Sequence, residues 1–209
     1  MPSLPSRGRP DPWVTWAHRR HSILHPLDLI CERNGVELPQ VTPVAPAQIP
    51  SPCRELLVHR CGMTRALERY WNVDVGVRLL SSFVIGNWYY RRILLINARS
   101  GRPVETAAMR TRLDRLSNSG RRNVLAGHIP FGHILRQAGI VFRSCPRVFL
   151  EVKPSSQLLG LFWMHRPLLI YGRQAELISH GSSIGEVLEI LPPVRIGTER
   201  PSSIGGRGS

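Results

Sequence analysis

The stretch Trp88-Tyr89-Tyr90-Arg91-Arg92-Ile93-Leu94-Leu95-Ile96 constrains the fold more than any other part of the chain. Aromatic and aliphatic residues dominate it and no glycine or proline interrupts it, so it reads as a strand. Successive strand side chains point to opposite faces. Tyr89, Arg91, Ile93 and Leu95 share one face; Tyr90, Arg92, Leu94 and Ile96 share the other. Whichever face meets a core carries an arginine with it. If both faces are covered, both arginines are enclosed, and a lone buried charge needs a partner or a bound anion.

A second run, Glu186-Val187-Leu188-Glu189-Ile190-Leu191, repeats the situation with the opposite sign. Its two glutamates are three residues apart and therefore lie on opposite faces, Glu189 with Val187 and Leu191, Glu186 with Leu188 and Ile190. One carboxylate is expected to point inward. Two readings stand at this point. One is a structural Arg–Glu ion pair that neutralises itself. The other is a pocket in which arginine grips a substrate carboxylate bidentately while glutamate handles a proton or a hydroxyl at the far end.

Around these runs the pattern is regular. Glu55–Arg60 and Thr64–Tyr70 read as helices, the second with Thr64 as its N-cap. Val75–Val84, Asn87–Asn97 and Pro103–Leu113 read as three strands of an antiparallel meander, with turns at Ile85-Gly86 and Arg99-Ser100-Gly101-Arg102. Helical stretches follow over Asp114–Ala126 and Phe131–Gln137. Three more strands close the core at Arg147–Val152, Pro167–Ala175 and Ile184–Leu191, with a helix over Ser155–Phe162. The expected class is α+β, a six-stranded antiparallel sheet with helices packed around it. Residues 1–52 form a Pro-rich, poorly ordered arm in this reading, with four prolines between Val41 and Pro52 and one short helix around Val14–Ile23. Residues 53–193 form the folded domain. Residues 194–209 form a Gly/Ser/Pro-rich disordered tail.

The 209 residues carry a net charge of +14. Within residues 51–193, 20 Lys and Arg stand against 9 Asp and Glu, and Lys153 is the only lysine of the chain. A basic body favours an anionic partner. Nucleic-acid tails mix Lys and Arg in dense blocks, and none is present, which points away from nucleic acid. Cys31, Cys53, Cys61 and Cys145 show no CxxC and no framework spacing, so they read as reduced thiols of a cytoplasmic protein. No apolar run approaches a membrane span, and no continuous apolar stretch near Arg7 and Arg9 leads to a signal-cleavage site. His18, His21 and His25 share a helical face, but Arg19, Arg20 and the absence of a matching carboxylate or thiolate speak against a metal. No phosphate-cradling glycine loop is present. Ser182 and Ser183 lack a nucleophile-elbow context. His128, His133 and His59 read as surface imidazoles.

Four segments, in order, resemble the chorismate pyruvate-lyase (4-hydroxybenzoate synthase) family, and more closely the actinobacterial and cyanobacterial branch of the chorismate lyase-like superfamily. Met63-Thr64 resembles the family's Met-Thr pair. Tyr90-Arg91-Arg92-Ile93-Leu94-Leu95 resembles its Arg-Glu-Ile-Leu-Leu strand. Pro130-Phe131-Gly132 resembles its Pro-Leu-Gly turn, and Leu188-Glu189-Ile190-Leu191-Pro192 its Thr-Glu-Leu-Phe-Leu-Pro strand. The match runs from about Glu55 to Pro193. Arg92 stands where the family has glutamate, Phe131 where it has leucine, and the last strand is one residue shorter.

The resemblance implies a lyase that eliminates pyruvate from chorismate to give a hydroxybenzoate, without cofactor or metal. It places Arg91 at the ring-carboxylate site and Glu189 at the catalytic glutamate, with Phe131 and Met63 completing the cavity and Arg110 available to the second carboxylate. Positioning, charge stabilisation and exclusion of water would carry the catalysis. Three alternatives remain: a secondary-metabolism enzyme acting on another small carboxylate on the same scaffold, a non-catalytic small-molecule-binding domain, and a salt-sensitive nucleic-acid binder. The same architecture serves as a ligand-sensing domain in some transcription regulators, and no helix-turn-helix module precedes it in these residues.

Overall fold

The computed structural model describes residues 22–194. The elements, in chain order, are α1 (Leu27–Asn34), β1 (Gln40–Val44), α2 (Cys53–Leu57), α3 (Met63–Trp71), β2 (Val75–Ile85), β3 (Trp88–Asn97), β4 (Pro103–Arg112), α4 (Asn118–Ala126), α5 (Phe131–Gln137), β5 (Arg143–Lys153), α6 (Ser156–Leu161), β6 (Ile170–Ser179) and β7 (Ser182–Ile190). The strands make one antiparallel sheet in the order β1-β5-β6-β7-β4-β3-β2. The α+β class and the β2–β3–β4 meander are as expected. The sheet has seven strands among the described residues, one more than the sequence pattern suggests.

The extra strand is β1, within the segment expected to be a poorly ordered arm. It pairs with β5 from Gln40↔Lys153 to Val44↔Phe149. Pro43 disguises it, because proline signals a break; on an edge strand a missing N–H is tolerated. Part of that segment is thus built into the fold, and α1 packs Leu27, Ile30 and Cys31 against the sheet. Most of the helix expected at Val14–Ile23 and the whole of the Arg195–Ser209 tail lie outside the described residues.

Other boundaries move for local reasons. The helix expected from Asp114 starts at Asn118, because Ser117 caps it by accepting the Gly120 N–H at 3.2 Å. Thr64 is not an N-cap: the helix begins at Met63, with Gly62 in the cap position. β5 begins at Arg143, four residues earlier than expected, and is irregular between Pro146 and Val148, where proline cannot donate to the ladder. The β6–β7 hairpin turns on His180 and Gly181, both at positive φ (47° and 73°), as a two-residue type I′ turn demands. Ser182 is therefore a hairpin residue at the surface.

Both faces of the sheet are covered. On one, Leu57 of α2, Met63 and Leu67 of α3, Val124 of α4 and Leu135 of α5 join Ile93, Ala107, Phe149 and Val187. On the other, α1 and Leu158 of α6 pack on Tyr90, Leu94, Ala108, Leu150 and Leu188. Double coverage is why the central strands read as near-continuous apolar runs. It also encloses both arginines: Arg91 is 0 % exposed and Arg92 5 %. No helix among the described residues is long and apolar enough to cross a membrane.

Candidate functional site

Register brings the charged residues of the first face together. Arg91 on β3 lies opposite Met109 on β4, which lies opposite Val187 on β7. One step along, Ile93 lies opposite Ala107, Ala107 opposite Glu189, and Glu189 opposite Arg173 on β6. Glu105, two residues from Ala107, shares this face. The Ala107 side chain is a single methyl between Ile93 and Glu189, and it leaves space above the sheet. A cavity of about 50 Å³ opens there. Arg91, Glu105 and Glu189 line it together with Met63, Met109, Phe131 and Phe142.

Of the residues singled out from sequence, the structure gathers Arg91, Glu189, Met63 and Phe131 at this cavity. Arg110 does not join them. It alternates with Met109, so it lies on the opposite face, held bidentately by Glu186 (Nε–Oε2 3.0 Å, Nη2–Oε1 3.1 Å) with its guanidinium 4.5 Å from the centre of the Trp88 ring. A substrate group in the cavity is out of its reach.

Arg91 and Glu189 do not neutralise each other. Glu189 Oε2 accepts from Arg173 Nε at 2.6 Å. Arg173, 0 % exposed, also donates through Nη1 to the carbonyls of Leu57 (2.7 Å) and His59 (3.1 Å), and through Nη2 to Ser144 Oγ (3.4 Å). This guanidinium is nearly saturated. Arg91 has no such company. Nε points at the Met109 sulfur (3.2 Å), a weak acceptor; Nη1 reaches the Ile129 carbonyl at a long 3.4 Å; Nη2 has no partner among the described residues. The Phe131 ring lies 5.9 Å from its guanidinium carbon. Burial lowers the Arg91 guanidinium to about 10, with nearby Tyr89 opposing, so it stays charged at neutral pH.

Glu105 and Arg173 were not singled out in the sequence. Glu105 is 1 % exposed, and its Oε2 has no partner among the described residues. Burial first, then the Glu189 carboxylate, pushes its carboxyl well above the usual range, with Arg173 opposing. Its alternation with Ala107 and Met109 is a usable signal. For Arg173 the signal is weaker, because Arg173-Gln174 puts polar groups on both faces of β6.

Behind the ion pair lies a larger open groove of about 560 Å³ lined by His59, Cys61, Arg69 and Tyr70, among others. His59 is not the surface imidazole its sequence context suggests. Its Nε2 donates to the Leu56 carbonyl (2.7 Å), while Nδ1 lies 3.3 Å from both Cys61 Sγ and Arg173 Nη1. Burial, then the Arg173 charge, lowers the imidazole to about 4. His133 is likewise only partly exposed, with Nε2 2.8 Å from Glu68 Oε1. Among the described residues no group of three or more His, Cys, Asp or Glu is placed to hold a metal ion; His18 and His21 lie outside them.

No family model matches the chain. No curated protein matches it either. Solved structures similar to it include YydK from Bacillus subtilis (10 % identity over 84 % of this chain and 97 % of that one, TM-score 0.48). The effector domain of PhnF from Mycobacterium smegmatis is another (14 %, 63 % and 88 %, TM-score 0.47). A third is a GntR-family transcriptional regulator from Bacillus cereus (11 %, 62 % and 99 %, TM-score 0.40).

Proposed function

We propose that the chain binds a small carboxylate in the cavity between β3, β4, β7 and the helices α3 and α5. The observation that carries this reading is Arg91: a fully buried guanidinium with no carboxylate partner and an unserved Nη2, lining a hollow. A buried charge left without a counterion is costly, and a bound anion removes the cost. The cavity's own charges support the sign. Arg173 is cancelled by Glu189, which leaves Arg91 in excess. Isothermal titration with benzoate and 4-hydroxybenzoate tests the reading. Binding to the wild type that is lost in Arg91→Ala supports it; equal affinity in both proteins overturns it.

The size of the hollow bears on how a ligand enters. An engineered cavity that takes benzene measures about 150 Å³, and this one is about 50 Å³. A ring compound therefore needs the lining to give way. Phe142, half-buried at the rim, is the natural mover. Its ring sits so close to Gly62 that a Cβ there would approach it to 2.9 Å.

A second, finer reading is elimination of pyruvate from chorismate to leave a hydroxybenzoate. Arg91, Glu189, Met63 and Phe131 around one cavity support it. In that reaction Arg91 would hold the ring carboxylate and Glu189 would face the hydroxyl end, while aromatisation supplies driving force and enclosure excludes water. Two features weigh towards binding without turnover. Glu189 is already engaged by Arg173, and Arg110 is turned away from any second carboxylate. Incubation with chorismate separates the readings: release of pyruvate and a hydroxybenzoate supports the lyase, and absence of both excludes it.

A further inference from the structure

We infer that Glu105 is a hydrogen-bond donor of this cavity, so that the ligand taken is a carboxylate carrying a hydroxyl or carbonyl oxygen at the end remote from Arg91. The inference rests on the reading of Arg91 as the carboxylate site and adds the other end of the ligand.

Glu105 stands on β4 opposite Leu95, on the same face as Ala107 and Met109. It lines the hollow, is 1 % exposed, and its Oε2 meets no polar atom among the described residues. The cation that could have served it, Arg173, is committed to Glu189, two backbone carbonyls and Ser144. The charged groups facing it are Glu189 from β7, Arg173 from β6 and Arg91 from β3; α3 and α5 present only uncharged lining such as Met63 and Phe131. Burial and the neighbouring Glu189 carboxylate both favour the protonated form, and only Arg173 opposes. A neutral carboxylic acid has one O–H to give.

The cavity thus has three different polar functions. Arg91 donates to an anion at one end. At the other end Glu105 donates from β4, one strand over and four residues along, and Glu189 accepts from β7, two strands over and two residues along, each roughly 12–14 Å from Arg91 between Cα positions. A hydroxyl satisfies both, accepting from Glu105 and donating to Glu189; a carbonyl oxygen satisfies Glu105 alone. A ligand with neither leaves buried polar groups unmet, a loss on the order of ten- to a hundredfold in affinity.

Benzoate and 4-hydroxybenzoate differ only in that hydroxyl, and titration of both at pH 7 into the full chain reads the inference. The wild type is expected to prefer 4-hydroxybenzoate by tenfold or more. Glu105→Gln, which keeps a donor, should retain the preference; Glu105→Leu should reduce it to within about twofold. Equal wild-type affinities, or a Glu105→Leu protein that binds like wild type, overturn the inference. If neither compound binds the wild type, the Arg91 reading has failed, and Glu105 is judged by its own protonation. The same holds if Glu105→Leu does not fold. Carboxyl-13C NMR, with the resonance assigned by Glu105→Gln, then decides. A proton retained past pH 7 supports the donor role, and titration in the ordinary carboxylate range overturns it.

Discussion

Arg91 and Arg92 are neighbours in sequence, both buried, and face opposite sides of one strand; what differs is the space beside them. Arg92 points into the face covered by α1 and α6, where Nη1 donates to the Gln157 amide oxygen on α6 among packed hydrocarbon, while its Nε, like Nη2 of Arg91, has no partner among the described residues. Arg91 points into the face covered by α3 and α5, where it meets a thioether, a distant carbonyl and a hollow. One face gives its arginine a side-chain acceptor, Gln157. The other keeps a cation, a carboxylic acid and space. Incomplete hydrogen bonding is common to both arginines and does not by itself mark a binding residue; the cavity beside Arg91 is what sets it apart.

Substitutions can break or sharpen this contrast. The largest effect is expected from Arg173→Ala, which strands Glu189 without its counterion. Losing one partner of a buried pair costs about 3–5 kcal/mol, measurable by urea denaturation, and a loss below about 1 kcal/mol would show that Glu189 does not depend on Arg173. Arg92→Ala removes a charge-assisted bond on the packed face and should cost about 1.5–3 kcal/mol with no change in carboxylate affinity. Arg91→Met is the opposite case. It deletes a poorly served charge at similar volume, so stability should stay within about 1 kcal/mol of wild type, or rise, while benzoate binding disappears. If Arg91→Met unfolds the protein, Arg91 is structural and the two faces are alike.

The smallest effect is one of pH. Glu105 holds its proton more tightly folded than unfolded, so the stability it contributes is complete below its unfolded value and is lost as pH rises through the folded one. His59 behaves inversely: lowered to about 4 from an ordinary 6.5, it supports the fold above pH 6.5 and ceases to as pH falls towards 4. Glu105→Gln should therefore gain melting temperature over wild type progressively as pH rises above about 4.5. A constant gap between the two across pH 5–9 would mean that Glu105 ionises normally.

Much of the sheet was legible in the sequence because alternation is a local property. β2, β3 and β4 announce themselves by period and by their turns, and Arg91 and Glu189 follow from the same parity. What alternation cannot show is which strands lie side by side. β7 pairs with β4 across an intervening stretch of about seventy residues, and that long-range register alone brings Ala107 beside Glu189 and places Arg173 where it captures the carboxylate. The same ignorance let Arg110 be offered to the ligand, although its parity with Met109 puts it on the far face. β1 was hidden by Pro43 and by its place at the edge, where a strand needs only one partner.

The hollow depends on one small side chain. With Ala107 between Ile93 and Glu189, a change to leucine would put a branched hydrocarbon into the hollow that Arg91, Glu105 and Glu189 line, without removing any guanidinium or carboxyl. Recognition here is thus separable from electrostatics: the chain could be made deaf to its ligand by a plug and keep its charges unaltered. A family of such proteins could gain or lose a ligand at a single codon.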